Sequence, residues 1–205
     1  MNDIANRCAQ VLLKKTGLHD KFLLLGYESG VLIAIKLAEI LEAHGMLGTI
    51  FCIGGSPDDI KAHFQDKLSI YKTEVALQNA IIQHTTSLMM KKADERINKS
   101  IETAVTWDEK VLACTRIMKE TIPHSTEYVK HIIESAYAKV SQVLQYEPVP
   151  VKLRSNIVCL RPTTCTTTTT LQNYSEQPIV EYNLNVPLAY MTQDLRCSAI
   201  INRHI

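Results

Sequence analysis

The stretch Lys21-Phe22-Leu23-Leu24-Leu25-Gly26-Tyr27-Glu28-Ser29-Gly30 decides the fold of this chain. Its first part, Lys21 to Gly26, is a short continuous apolar run that a glycine closes. Such a run is typical of a strand buried on both faces of a parallel sheet. The segment that follows, Val31 to Ala43, is strongly apolar and of helical length. The sequence therefore predicts a buried strand that turns sharply into a buried helix.

A second strand is predicted at Thr49 to Ile53, and it completes a strand–helix–strand unit. Such a unit indicates a parallel sheet with a right-handed crossover. Ser56 and Pro57 then predict a helix start, with serine at the N-cap and proline at the first helical position. From there to about Gln145, apolar residues recur at spacings of three and four, as they do in helices. We therefore expect a large helical insertion within a sheet domain.

The sheet is expected to resume after the insertion, with a strand at Ser155 to Arg161. The polar, low-complexity tract Thr166 to Thr170 predicts a surface loop. Val186 to Met191 is a candidate last strand, and Pro187 within it favours an edge position. Asp194 to Asn202 is a candidate last helix.

The composition is that of an ordinary globular protein. Of 205 residues, 46% are hydrophobic and 21% are charged, and the formal net charge is +1. This balance gives no electrostatic reason to expect nucleic acid or an acidic membrane as a partner. The apolar stretch Phe22 to Leu41 is broken by charged residues, so it predicts no membrane span. The N-terminus has no signal-peptide pattern, and we expect a cytoplasmic protein.

The six cysteines are widely scattered and form no C-x-x-C pair. They are Cys8, Cys52, Cys114, Cys159, Cys165 and Cys197. No Cys/His cluster has the spacing of a zinc site, so the sequence predicts no bound metal. We interpret the cysteines as free thiols in a reducing compartment.

The glycines of the opening stretch indicate which residue lies at the apex of the turn. Gly26 and Gly30 stand two residues before and two residues after Glu28. In the sharp turn called a nucleophile elbow, these two positions are expected to be small because side chains there would collide. The frame therefore places Glu28, and not Ser29, at the apex. Ser29 is a weaker substitute nucleophile, and its simpler role is that of a hydroxyl in the first turn of the helix.

On these residues the chain resembles the thioesterase domain of animal fatty acid synthases, insect ones included. The pattern from Lys21 to Ala38 is similar to the family's elbow and the helix after it. Three further segments agree in the same order: Phe51 to Pro57, Lys152 to Arg161 and Tyr182 to Leu184.

The resemblance implies a partial α/β-hydrolase fold, with a mostly parallel sheet and a large helical insertion. Residues 1–57 and 146–205 would form the core, without the early strands of the family. Residues 58–145 would form the inserted helical cap. Because those early strands are expected to be missing, the strand at Lys21 should expose one edge and one face, which predicts poor solubility or association.

The resemblance also implies an activity, which is release of a long-chain fatty acid from an acyl carrier protein without a cofactor. The family uses a Ser-His-Asp triad. Its serine falls on Glu28 and its aspartate on Gly54, and the turn that carries its histidine is missing. The family's chemistry is therefore expected to be lost in this chain.

Three residues could replace the missing groups, but each has a simpler explanation. Asp58 and Asp59 fit the electrostatics of a helix start. His204 follows the candidate last strand by a full helix and is expected to be solvated.

Two alternatives to a degenerate hydrolase stay open, which are a non-catalytic acyl-binding or scaffolding remnant and a fragment of a longer gene product. Acyl binding would need an apolar groove in the helical insertion. The best groove candidates are Phe64, Leu68, Ile81, Met89 and Met118. Further apolar candidates are Ile82, Leu88, Met90, Val111 and Leu112. Apolar residues on amphipathic helices more often form core.

Overall fold

The computed structural model describes residues 2–15, 21–163 and 170–205. The chain divides into two compact units. The sheet unit comprises Met1–Phe64 and Tyr146–Ile205, and the helical unit comprises Gln65–Gln145. A mostly parallel sheet flanked by helices confirms the predicted fold class. The assignment of residues 58–145 as a cap over a hydrolase core stays a prediction.

Within the described residues, the sheet has four parallel strands in the order β1-β2-β3-β4. They are β1 (Lys21–Tyr27), β2 (Leu47–Ile53), β3 (Asn156–Arg161) and β4 (Val180–Asn183). The register aligns Tyr27 with Ile53 and Ile53 with Leu160, so β1, β2 and β3 end at one edge of the sheet. Residues that follow these strands therefore meet at that edge.

Eight α-helices accompany the sheet in the described residues. They are α1 (Asn2–Lys15), α2 (Gly30–Ala43), α3 (Pro57–Leu68), α4 (Glu74–Met90), α5 (Glu95–Thr103), α6 (Trp107–Lys119), α7 (Thr126–Gln145) and α8 (Leu195–Arg203). Two 3₁₀ helices lie at Leu171–Tyr174 and Leu188–Gln193. The predicted helix at Val31 to Ala43 and the predicted last helix are confirmed. Of the predicted threonine loop, only Thr170 lies within the described residues.

The two faces of the sheet are covered differently. Helices α1 and α2 pack on one face, where Ala5, Ala9, Leu37 and Leu41 form a core with the half-buried Leu24 of β1. On the other face, Phe51 and Leu160 pack against Met191 and against Ile200 of α8. The site at the strand ends thus rests on a sheet with a core on each side.

The prediction that β1 is buried on both faces is wrong. Leu24 is half-buried under α1 and α2, whereas Leu23 and Leu25 on the opposite face are 49% and 52% exposed. The expectation of an exposed edge and face is confirmed, because β1 is the first strand of the sheet and its only strand partner in the described residues is β2.

The prediction of a last strand at Val186 to Met191 is also wrong. Leu188–Gln193 forms a 3₁₀ helix, and Pro187 is its N-cap. The last strand is instead β4, a segment of four residues that the sequence pattern did not reveal. A continuous apolar run does not distinguish a strand from a short helix, and here Pro187 begins the helical turn.

A buried carboxylate joins α2 to the start of β3. Glu42 accepts hydrogen bonds from the backbone N–H groups of Arg154 (3.0 Å) and Ser155 (2.8 Å). The Arg154 guanidinium lies 3.5 Å from the same carboxylate. Burial opposes ionisation of Glu42, yet the bonds from Arg154 and Ser155 lower its pKa below the usual value. Glu42 therefore helps to fix where β3 enters the sheet.

The helical unit has its own core. Ile82, Met90, Val111 and Met118 are buried together with Ile133. A capping box begins α6, in which the Thr106 hydroxyl accepts from Glu109 N–H while the Glu109 carboxylate accepts from Thr106 N–H. In this unit the capping residues mark the start of a helix, and the apolar residues of the helices are buried in one core.

Candidate functional site

The turn from β1 into α2 has the geometry of an elbow with Glu28 at its apex. The φ of Glu28 is 49°, a left-handed conformation that costs a residue with a Cβ about 1–2 kcal/mol. Lys91 is the other residue apart from glycine with positive φ in the described part of the chain. Glu28 N–H donates to the Ile53 carbonyl (2.9 Å), and Val31 N–H donates to the Glu28 carbonyl (2.9 Å). These bonds hold the strained apex between the end of β2 and the start of α2.

The two glycines that frame the apex differ in what they do. A Cβ on Gly26 would lie 2.6 Å from Cα and 2.8 Å from N of Val31, so no side chain fits between β1 and the helix. A Cβ on Gly30 would have no atom within 4 Å. The steric requirement predicted for both positions is therefore confirmed for Gly26 and wrong for Gly30. Gly30 is the first residue of α2, where the helix surface is open.

Ser29 does not lie at the apex. Its backbone is right-handed helical (φ −59°, ψ −16°), and it is the N-cap of α2 without a side-chain capping bond. The residue is buried, with 6% of its surface exposed. In an elbow, the backbone N–H of the residue after the nucleophile contributes to the oxyanion hole. In this turn Glu28 is the apex residue, and Ser29 is the residue after it.

Gly54 follows β2 directly beside the elbow. Its φ is 119°, and its N–H donates to the Leu160 carbonyl (2.9 Å). A Cβ at this position would lie 3.6 Å from Cα of Glu28, 3.3 Å from Cδ1 of Ile60 and 3.2 Å from Cδ1 of Leu188. The Leu188 and Ile60 side chains therefore border the space that a carboxylate at position 54 would enter.

Leu188 is held over the strand ends by a hydrogen bond from β1. The Tyr27 hydroxyl donates to the Leu188 carbonyl at 2.9 Å. Burial raises the pKa of Tyr27, and the nearby charge of Glu28 adds to the effect. The neutral phenol is thus favoured, and it is the form that donates this bond.

Asp59 is engaged in capping α3, as the sequence predicts. The Ser56 hydroxyl accepts from Asp59 N–H (3.1 Å), and the Asp59 carboxylate accepts from Ser56 N–H (2.9 Å) and from the Ser56 hydroxyl (2.8 Å). These reciprocal bonds satisfy free N–H groups at the helix start. Asp59 therefore has a structural role that explains its position.

Asp58 lies in a second hydrogen-bonded group in the sheet unit. Its carboxylate accepts from the Thr170 hydroxyl (2.8 Å) and from the hydroxyl of Tyr174 (3.1 Å), a fully buried residue. Burial raises the pKa of Tyr174, and the charge of Asp58 raises it further. Thr170 and the 3₁₀ helix at Tyr174 were not expected near Asp58 from the sequence, because no local pattern links positions so distant in the chain.

His204 is half-buried, and its predicted solvation is wrong. Its Nε2 lies 3.0 Å from the Tyr182 hydroxyl, and its ring meets Phe51 edge-on at 6.4 Å. The His204 imidazole is therefore held by a polar contact with Tyr182 of β4 and a ring contact with Phe51 of β2. In the described residues no hydrogen bond joins His204 to Glu28 or Ser29.

Burial makes the cysteines of the sheet poor nucleophiles. Cys8, Cys52, Cys114, Cys159 and Cys197 are free, and Cys165 lies outside the described residues. Burial raises the pKa of Cys52 to about 12 and also raises that of Cys159, its partner across β2 and β3. Both side chains are therefore thiols at neutral pH, and the thiolate is the reactive form.

Two negative findings complete the site. Among the described residues, no three His, Cys, Asp or Glu side chains are grouped so that they could hold a metal ion. Within the same residues, no helix is long and apolar enough to cross a membrane.

The groove candidates of the helical insertion fall into two groups by exposure. Ile81, Ile82, Met90, Val111 and Met118 are buried. Phe64, Leu68 and Met89 are half-buried, and Leu88 and Leu112 are 65% and 48% exposed. A cleft of about 380 Å³ within the helical unit is lined mainly by polar groups, among them Gln83, His84, Asp94 and Asn98. An acyl-binding role for the candidates stays a prediction.

Comparison with known proteins supports the fold independently. No family model matches this sequence, and no curated protein matches it. A region of a four-domain nonribosomal peptide synthetase bound to AMP and glycine superposes with a TM-score of 0.65 at 10% identity, over 98% of this chain and 15% of the synthetase.

Two thioesterases are similar over most of their length. The Vlm2 thioesterase domain bound with a dodecadepsipeptide has a TM-score of 0.60 at 13% identity, over 98% of this chain and 73% of that one. The type II thioesterase BorB from the borrelidin biosynthetic cluster has a TM-score of 0.52 at 19% identity, over 99% of this chain and 69% of that one. The chain therefore has the α/β-hydrolase fold found in thioesterase domains.

Proposed function

We propose that this protein is a degenerate relative of the fatty acyl thioesterases, and that it binds acyl thioesters without hydrolysing them. The observation that carries the proposal is the elbow after β1, where Glu28 occupies the strained apex with a φ of 49°. The turn has kept the backbone geometry of a nucleophile elbow while the residue at its apex is a carboxylate. The thioesterase domains with the same fold support the choice of substrate class.

Thioester hydrolysis needs a nucleophile, a base that activates it and an acid that orients the base. A carboxylate at Glu28 could attack an acyl thioester to give a mixed anhydride, with cleavage of the C–S bond and release of the thiolate. Water must then open the anhydride with the help of a base. His204, the histidine that follows the last strand in the chain, lies within hydrogen-bond distance of the Tyr182 hydroxyl. Loss of a triad leaves only about 10³- to 10⁴-fold catalysis over water. Physiological turnover is therefore not expected.

The position of the missing acid supports the same conclusion. Gly54 lies next to Glu28, and Leu188 and Ile60 border the space beside it. The hydrogen bond from Tyr27 keeps Leu188 in that place. A substitution that returned a carboxylate at position 54 would meet the apolar side chains of Leu188 and Ile60.

Hydrolysis is tested with a fluorophosphonate probe and with long-chain acyl-CoA, using Ser29→Ala as the matched control. We expect no labelling of Ser29 and a rate of acyl-CoA hydrolysis equal in the two proteins. Labelling that disappears in Ser29→Ala, together with release of fatty acid, would show that the chain is an active serine hydrolase.

Acyl binding is the second part of the proposal, and the exposed Leu88 with the half-buried Met89 favours it. The test is displacement of a fluorescent fatty acid by unlabelled acyl-CoA. Saturable binding is expected, and Met89→Glu should weaken it, whereas Val105→Glu at an exposed apolar position of the same unit should not. A signal that does not saturate in the unchanged protein contradicts acyl binding and leaves a scaffolding role.

A further inference from the structure

Residues 185–190 form a strap between two buried anchors, Leu184 and Met191. Val186 and Leu188 within the strap are half-buried, and its other residues are exposed. The strap includes the first residues of the second 3₁₀ helix. It is therefore fixed at both ends and lies at the surface between them.

Two hydrogen bonds from other elements hold the middle of the strap in the described residues. Thr163 N–H, which follows β3, donates to the Val186 carbonyl at 3.1 Å. The Tyr27 hydroxyl at the end of β1 donates to the Leu188 carbonyl at 2.9 Å. The internal hydrogen bonds of a 3₁₀ helix have poorer geometry than those of an α-helix. The position of the strap therefore depends strongly on these two bonds from outside it.

The strap covers the space beside the apex of the elbow. A Cβ on Gly54 would lie 3.2 Å from Cδ1 of Leu188 and 3.6 Å from Cα of Glu28. Cδ1 of Ile60 lies 3.3 Å from the same point. Ile60 is 1% exposed and Leu188 is half-buried, so Ile60 is the inner side chain at this point and Leu188 is the outer one. A molecule that is to reach this space from solvent must therefore displace Leu188.

From these contacts we infer that the strap is a gate over the space beside Glu28, and that the Tyr27 hydroxyl is its latch. In the closed state, Leu188 lies over Gly54. When the bond to Tyr27 breaks, the strap lifts between its two anchors and the space opens. Surface segments with few hydrogen bonds open locally at a small part of the cost of global unfolding. The inference rests on the proposed function only in that the entering ligand is an acyl thioester.

The first test measures hydrogen exchange of the strap amides by mass spectrometry. Tyr27→Phe should speed exchange in peptides that cover the strap about fivefold, which is the factor for one hydrogen bond. Tyr182→Phe is the matched control, because the Tyr182 hydroxyl bonds to His204 in the same unit. It should leave exchange of the strap unchanged. Unchanged exchange in Tyr27→Phe, or equal effects of the two variants, would overturn the inference.

The second test measures access to the covered space with Ile60→Cys and iodoacetamide, and peptide mass spectrometry reads the labelling at each position. Adding Tyr27→Phe should speed labelling at position 60 about fivefold. Cys52 and Cys159 are 0% exposed in the sheet and report global unfolding. Low concentrations of urea should speed labelling of these two cysteines but hardly that at position 60, because a lifted strap exposes little surface. The same urea dependence at all three positions contradicts a local gate.

Leu188→Ala distinguishes the cover from the latch. It removes the outer side chain and leaves the carbonyl that accepts from Tyr27, and it should speed labelling at position 60 about tenfold or more. Adding Tyr27→Phe to Leu188→Ala should then change the rate less than about twofold, because coupled residues are not additive. Independent effects of the two substitutions contradict the gate. Loss of acyl binding with these results intact would remove the proposed function and leave the gate, and the reverse outcome would remove the gate alone.

Discussion

The turn after β1 and the turn after β2 lie side by side, but they differ in packing and in backbone conformation. The first still has the tight geometry of an elbow, with Gly26 against Val31 and Glu28 in the left-handed region. The second contains Gly54 and Gly55, with φ values of 119° and 128°. The Asp59 carboxylate that follows this turn caps α3. The comparison teaches that close backbone packing fixes the first turn, whereas glycine conformations and a capping carboxylate fix the second.

The largest effect is expected from Gly26→Ala. Its Cβ would lie 2.6 Å from the Val31 Cα, and backbone atoms cannot move aside as a flexible side chain can. We expect a loss of about 3 kcal/mol in the free energy of unfolding. The matched control is Gly30→Ala, where nothing lies within 4 Å of the added methyl group.

The control should be neutral or stabilising by up to about 1 kcal/mol, because alanine favours a helix more than glycine does. Urea unfolding of both proteins measures the difference. Equal loss of stability at Gly26 and Gly30 would show that the elbow is not the rigid element that the structure describes.

The second prediction compares two glutamates, one in the scaffold and one at the apex. Glu42→Gln removes charged hydrogen bonds to Arg154 and Ser155 and should cost about 2 kcal/mol at neutral pH. Glu28→Gln should change the free energy of unfolding by less than about 0.5 kcal/mol, as a change away from the packed core does.

The pH dependence of the Glu42 effect has a definite sign. Its pKa is lowered in the folded protein, so its contribution is present above the unfolded pKa and is lost as pH falls through the folded value. The difference between the unchanged protein and Glu42→Gln should therefore shrink below about pH 4. A difference that grows towards acid would contradict the assigned hydrogen bonds.

The third prediction concerns the turn after β2. Ser56→Ala removes the hydroxyl that accepts from Asp59 N–H at the start of α3, and the loss should be about 1 kcal/mol. Thermal unfolding measures it. Ser29→Ala is the fitting comparison, because Ser29 is an N-cap without a capping bond and its removal should cost less. A larger loss at Ser29 would reverse the roles assigned to the two turns.

The smallest effect is expected from an attempt to restore the nucleophile. Glu28→Ser places a hydroxyl at the apex, and under the proposed loss of the family's base and acid nothing would activate it. Hydrolysis of acyl-CoA should stay at the level of the unchanged protein in a free-thiol assay. A clear gain in rate would show that a base reaches the apex and that the site is less altered than we propose.

Much of the sheet unit could be predicted from the sequence because its signals are local. Continuous apolar runs predicted β1, β2 and β3, and Ser56-Pro57 marked the start of α3. The apex position of Glu28 followed from its spacing to Gly26. These features depend on neighbours within a few residues, which a single sequence contains.

Features that depend on distant contacts could not be predicted in the same way. The strand β4 is short and takes its definition from pairing with β3, and the apolar run after Pro187 formed a 3₁₀ helix. The exposure of Leu23 and Leu25 depends on what lies beside β1, and the half-burial of His204 depends on Tyr182 and Phe51. None of these contacts leaves a pattern in the nearby sequence.

The close approach of Gly26 to the helix has a consequence for how such a chain changes over generations. Selection for folding alone would remove most substitutions at that position, whether or not the turn takes part in a reaction. A glycine signature of this kind therefore reports the local fold, and by itself it does not report an activity.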